Sequence, residues 1–219
     1  MTRLIGKEDA TEIGRLFASK LAGEVELWLF VSKKTDSNCE QSKRLLEEVA
    51  SLNEKLHLHV FDVDAEPGRA KEMRADLAPT TIVMASNGAR LYYVGTPGGR
   101  QLKSLVEDII DASRGRAEMD RDALNTIRRV EAETVIKVFV TPFCAYSPSV
   151  VRVAHRFAIE NPHVVAMMIE TVEFPELVKR YNIVGVPRTV INERLVFDGA
   201  PSEKAFAEKV LEGSRLDAE

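Results

Sequence analysis

Two mainly apolar runs of strand length, Glu26-Leu27-Trp28-Leu29-Phe30-Val31 and Val135-Ile136-Lys137-Val138-Phe139-Val140, are each followed by a polar loop, a cysteine and a helical pattern. In the first copy the cysteine is Cys39 and the apolar positions beyond it are Leu45, Leu46, Val49 and Leu52. In the second it is Cys144, followed by Val150, Val151, Val153, Ala154 and Phe157. Steps of three and four residues mark a helix with one buried face, whereas short apolar runs without alternation fit strands covered on both sides.

The copies continue in the same order. Leu56 to Val63 and Val164 to Ile169 predict second strands; short helical segments follow at Ala70 to Asp76 and Phe174 to Tyr181. Ala78-Pro79 and Val186-Pro187 then open third strands, which turn back through Ser86-Asn87-Gly88 and Asn192-Glu193 into short strands ending at Gly95 and Gly199. Closing helices are predicted over Gly99 to Ala112 and Ser202 to Leu211, at an offset between copies of about 105 residues. Each copy reads β-α-β-α-β-β-α. A crossover helix makes the first two strands parallel, and a tight turn makes the last two antiparallel. The expected fold is α/β: two tandem units, each a small mixed sheet flanked by helices, over 1–116 and 117–219. The boundary falls at the polar stretch Ser113-Arg114-Gly115-Arg116, with extra helices at about Asp9 to Leu21 and Met119 to Val130.

Composition removes several function classes. With 45% hydrophobic and 29% charged residues over 219 positions the chain can bury a core, and no apolar run approaches the roughly 18 residues of a membrane span. A net charge of −4 with interspersed signs provides neither a counterion-release drive toward nucleic acid nor a polybasic membrane anchor. Met1-Thr2-Arg3-Leu4-Ile5-Gly6-Lys7 lacks the pattern of a signal peptide, so a reducing cytoplasm is expected and the two cysteines are expected as thiols. Only two glutamines occur, a composition that points toward a thermophilic source.

The candidate chemistry lies where first strand meets first helix. Cys39-Glu40-Gln41-Ser42 and Cys144-Ala145-Tyr146-Ser147 each put a cysteine at a predicted helix N-terminus with a serine three residues on. Unsatisfied backbone N–H groups and the positive dipole end stabilise a thiolate there, enough for a drop of about one pKa unit. Asp36 and Glu40 oppose a second anion at Cys39, partly offset by Lys33 and Lys34; Cys144 has only Pro142, Phe143, Ala145 and Tyr146 around it. Cys144 is therefore the expected principal nucleophile, and Phe143 and Tyr146 an apolar rim for peptides. The two thiols are expected to lie too far apart to pair. His57 and His59 share a strand face without a third ligand in view, so no metal is expected. No phosphate-loop spacing of glycines calls for a nucleotide cofactor.

Strand, Cys-x-x-Ser, helix, and a later Ala-Pro or Val-Pro opening a strand resemble the thioredoxin fold. The doubled constellation, with Thr141-Pro142-Phe143-Cys144-Ala145-Tyr146-Ser147-Pro148 and Gly185-Val186-Pro187, is similar to the two-domain, glutaredoxin-like protein disulfide oxidoreductases of archaea and thermophilic bacteria. The resemblance implies a thiol–disulfide oxidoreductase or isomerase with Cys144, Ser147, Cys39 and Ser42 as catalytic residues. It further implies cis bonds at Ala78-Pro79 and Val186-Pro187 that present a backbone strip to substrate peptides, protein thiols and disulfides as partners, and a flavoprotein thioredoxin reductase as electron donor. Phe197-Asp198-Gly199-Ala200 matches the glutathione-binding turn of glutaredoxins only in part.

The chain departs from that family at Ser42 and Ser147, where active members carry a second cysteine in at least one unit. A serine cannot resolve a mixed disulfide, so a dithiol cycle within one unit is excluded and monothiol chemistry remains. A dithiol enzyme with both second cysteines exchanged for serine would read identically. The competing expectation is a redox-inactive peptide-binding adaptor or holdase that keeps the groove.

Overall fold

The computed structural model describes residues 3–216, with Thr35 and Asp36 described by their backbone alone. In chain order the elements are α1 (Lys7–Lys20), β1 (Val25–Val31), α2 (Asp36–Ala50), β2 (Leu56–Asp62), α3 (Pro67–Glu72), β3 (Thr80–Met84), β4 (Arg90–Val94) and α4 (Gln101–Arg114). They continue as α5 (Arg121–Ile127), β5 (Thr134–Val140), α6 (Ser147–Glu160), β6 (Val164–Glu170), α7 (Pro175–Arg180), β7 (Arg188–Ile191), β8 (Leu195–Asp198) and α8 (Glu203–Arg215). Apart from boundaries, the predicted order is reproduced.

Of the two short helices, α3 starts three residues earlier than predicted, whereas α7 starts one residue inside its predicted Phe174 boundary. Pro67 opens α3 and Pro175 opens α7, because a proline in the first turn has φ already set and lacks an N–H that the helix would leave unpaired. Each ends within two turns, before a left-handed residue, Arg74 at φ 52° and Asn182 at φ 49°. The predicted segment from Ala70 to Asp76 is corrected accordingly to Pro67–Glu72.

The two small sheets are one. The strand order is β2-β1-β3-β4-β6-β5-β7-β8, with β4 paired in parallel to β6 through Leu91–Ala166 to Val94–Ile169. Within each half the pairing is as expected: β1–β2 and β5–β6 parallel, β3–β4 and β7–β8 antiparallel. Both crossovers and the seam run the same way, so the loops after β1 and β5 emerge from the same edge of the sheet. Four strand steps separate them, about 19 Å at ~4.8 Å per step.

One face of the sheet carries a core continuous across both halves. Leu27, Leu29, Leu91, Tyr93, Ile136 and Val138 pack there beneath α2, α4 and α6, together with Leu46, Ile109 and Phe157. Alternate residues of the same strands, Phe30, Ile82 and Tyr92 under α3, and Phe139, Ile169 and Val190 beside α7, form two separate clusters on the other face. Burial on both faces explains why these strands appear in the sequence as mainly apolar runs. Among the described residues no helix is long and apolar enough to cross a membrane.

Candidate active site

The loop after β5 brings Cys144 to the start of α6. A proline at the second helical position, Pro148, suits the first turn, and Ser147 is the first helical residue, so Cys144 stands just ahead of the helix with N–H groups aimed toward it. Cys144 is partly exposed, while Ser147 is fully buried; among the described residues the Ser147 hydroxyl has no partner other than the cysteine sulfur. Val186-Pro187 is a cis bond, and the Cys144 thiol donates to the Val186 carbonyl at 3.5 Å.

Opposing influences act on this sulfur. Partial burial pushes the thiol pKa up. The Ser147 hydroxyl, the backbone N–H groups of Tyr146 and Ser147, and the positive charge of Arg100 together outweigh burial and hold it below the ordinary thiol value. When the sulfur ionises its bond to the Val186 carbonyl is lost, while the Ser147 and backbone donors strengthen. Phe143 is 82% exposed and Tyr146 70%, so the aromatic rim stands beside the sulfur without sealing it. Val184, two residues before the cis bond, is 83% exposed.

The matching position in the first half has the same parts and a different arrangement. Ala78-Pro79 is also cis. Cys39, however, lies inside the first turns of α2, is only 5% exposed, and its sulfur accepts the Ser32 N–H at 3.4 Å. Ser42 is fully buried, its hydroxyl bonded to that of Thr96 at 2.8 Å. The nearby lysines are engaged elsewhere, Lys34 with Asp64 at 2.8 Å and Lys33 with Asp62 at 3.6 Å; the Asp36 side chain lies outside the described ones. Cys39 and Cys144 are both thiols and are not joined to each other.

His57 and His59 line the outer strand β2, where His59 is bonded to Glu26 and stands edge-on to Trp28. His155 is fully buried, its Nδ1 against Asp108 at 2.5 Å and its Nε2 3.2 Å from the Tyr92 carbonyl.

Two features at this site escaped the sequence. The loop between β4 and α4, in the first half, reaches the Cys144 loop: the Arg100 N–H donates to the Pro142 carbonyl at 3.0 Å. Gly99, at φ +57°, lies so close that an added Cβ would stand 2.7 Å from that carbonyl oxygen. Nearby Gly95, at φ +96°, has room for no side chain against Glu170 of β6. Behind the site, α4 and α6 are joined by a buried ionic cluster. Arg152 bonds Asp108, Asp111 at 2.6 Å and Glu107 at 3.1 Å, and Tyr93 also donates to Asp108. In the sequence they have the spacing of the polar face of an ordinary helix; the packing of α4 against α6 brings them together.

The eight strands, the paired cis-prolines and the cysteine ahead of a helix define a protein of two thioredoxin-like units in tandem. Residues 134–212 match the family model described as a thioredoxin domain. Among solved structures the chain is similar to a protein disulfide oxidoreductase from Aeropyrum pernix K1, at 26% identity and TM-score 0.88, over 98% of this chain and 95% of that one. It is equally similar to the alkyl hydroperoxide reductase component AhpF of Enterococcus faecalis, at 26% identity and TM-score 0.87, over 95% of this chain and 100% of that one. Among curated proteins, the F component of alkyl hydroperoxide reductase from Staphylococcus aureus is 24% identical over 199 residues, 90% of this chain and 36% of that protein. A protein from Ferdinandcohnia aciditolerans named NADH dehydrogenase is 23% identical over 169 residues, 77% of this chain and 30% of its own length. The chain thus spans about a third of the length of these curated relatives and has the architecture of thioredoxin-fold disulfide oxidoreductases.

Proposed function

We propose that the chain exchanges thiols and disulfides through a single nucleophile, Cys144, with residues 1–116 and 117–219 as its two units. The Cys144 thiolate attacks one sulfur of a substrate disulfide; a Cys144–substrate disulfide forms, and the other substrate sulfur leaves as a thiolate. With serine at 147 no neighbouring thiol can resolve that adduct. An external thiolate attacks its substrate sulfur instead, which forms a new disulfide and regenerates the Cys144 thiolate. Ser147 and the first N–H groups of α6 hold charge at the sulfur, and Val186 and Pro187 align an extended segment beside it. The observation that carries this reading is the partly exposed sulfur just ahead of α6, set against the cis Val186-Pro187 bond. Cys39, buried within its helix, is assigned a packing role together with Ser42, Ala78 and Pro79.

The reductase and NADH dehydrogenase names of the longer relatives favour a reductase, of the flavoprotein thioredoxin reductase kind, as the source of the external thiol, in a reducing cytoplasmic setting. Titration of the thiolate by ultraviolet absorbance, with mass spectrometry after addition of 2,2′-dithiodipyridine, tests the mechanism. The expected result is a midpoint below that of free cysteine, and one pyridylthio adduct that Cys144→Ser abolishes. The exposed apolar side chains Phe143, Tyr146 and Val184 favour a second reading, a peptide-binding adaptor. A midpoint at or above the free-cysteine value, with no exchange above background, would leave that one.

A further inference from the structure

The Cys144 site is not built by its own half alone. The segment Gly98-Gly99-Arg100 belongs to the first unit, yet its backbone is fastened to the Cys144 loop by the Arg100 N–H bond to Pro142 and by the close seat of Gly99 on the same residue. Any β-carbon at position 99 would collide with backbone rather than with a side chain able to turn away. Arg100 lines a cleft of about 840 Å³ between α1, α4 and α6, whose lining also includes Ala145, Pro148 and Ser149 of the cysteine loop and helix.

The acids Asp9 and Glu12 of α1 face the same cleft, and the other cations around it are committed to partners. Lys103, one turn along α4, is 3.9 Å from Glu107, and Arg152 and Arg156 are tied to acids of α4 and α8. Arg188, next to Pro187, pairs with Asp198 at 3.2 Å, and Glu173 accepts the Thr96 N–H at 2.8 Å. Among the described residues Arg100 has no ion pair of its own. We propose that Arg100, carried across from the first unit, is a positioning residue for Cys144: its guanidinium holds negative charge on the attacking sulfur, so the two units work as one site. The inference rests on Cys144 being the nucleophile. The direction in which Arg100 moves the thiol agrees with it.

The test uses the full chain with Cys39→Ala, so that a single thiol reports, and 2,2′-dithiodipyridine as a disulfide without charge of its own. Arg100→Gln is expected to raise the thiolate midpoint by about half a unit, the size of a Coulomb contribution across a few ångströms of surface water. At pH 6 that removes about threefold of the thiolate, partly offset because a more basic sulfur is the better nucleophile, so exchange slows about twofold. Arg100→Lys restores most of the difference, which repair of packing alone would not do, and 1 M salt erases it. Gly99→Val, which displaces the loop while keeping the arginine, moves the midpoint in the same direction; a thermal melt confirms that it is folded. An Arg100→Gln protein that titrates like a parent with a lowered midpoint overturns this inference and spares the mechanism. A parent whose Cys144 titrates as a free thiol overturns both.

Discussion

At the scale of single residues, the pair Cys144 and Ser147 decides what chemistry is open. The serine hydroxyl is sealed from water and directed to the sulfur, and a hydrogen bond to a charged group contributes roughly 1.5–3 kcal/mol. Ser147→Ala is therefore expected to raise the Cys144 midpoint by about one unit in an ultraviolet titration. The rate of exchange with a neutral disulfide rises with pH until the thiolate is fully formed, and in Ser147→Ala that plateau moves to higher pH. Ser147→Cys supplies the missing resolving thiol at the same place. Reduction of insulin driven by dithiothreitol is expected to increase at least about tenfold over the parent chain, because release of the adduct becomes intramolecular. Cys-x-x-Ser was legible from spacing alone. Arg100 was not, since the residue lies 44 positions upstream and a lone arginine after two glycines carries no periodic signal.

Between elements, α4 and α6 are held by charge in a place where most helix pairs rely on apolar packing. Asp108 is fully buried and accepts from Arg152, His155 and Tyr93. Burial pushes its carboxyl up, but Arg152 and then His155 and Tyr93 more than reverse this and hold it below the usual carboxylate range. Burial, reinforced by the Asp108 charge, keeps the Tyr93 hydroxyl protonated well above its ordinary range. Arg152→Met leaves that carboxylate unpaired in the interior, with an expected loss of about 3–5 kcal/mol in urea unfolding. The pH dependence has a definite sign. A carboxyl with a folded-state pKa below the unfolded one stabilises the fold above the unfolded value, about 3.9, and loses that contribution as pH falls further. In Arg152→Met the unpaired acid is instead eased by protonation, so the gap between variant and parent is expected to narrow between pH 6 and pH 3 in a series of urea midpoints. The succession of helices and strands along the chain was legible because it follows apolar periodicity. This cluster was not, because Glu107, Asp108 and Asp111 have the i, i+1 and i+4 spacing of an ordinary solvated face, and their cation comes from a helix more than 40 residues away.

At the scale of the molecule, the repeat in the sequence foretold two sheets but not their fusion. An apolar strand buried on both faces looks the same whether its edge is free or paired, so the β4–β6 ladder left no mark beyond the two runs themselves. Its energetic consequence is nevertheless direct. Expression of residues 117–219 alone would expose β6, Val164–Glu170, as an unprotected apolar edge strand. That fragment is expected to self-associate in light scattering at concentrations where the full chain stays monodisperse, and a Lys substitution at Ala166, which faces the core, would not rescue it.

A ladder of main-chain bonds across the middle also fixes how the thiol can travel. Halves joined by a flexible tether could close on a client like a jaw; halves paired strand to strand in one sheet turn together, like a paddle on its shaft. The overall outline seen by small-angle scattering should accordingly be unchanged when Cys144 carries a disulfide-linked peptide, apart from the mass of the peptide itself.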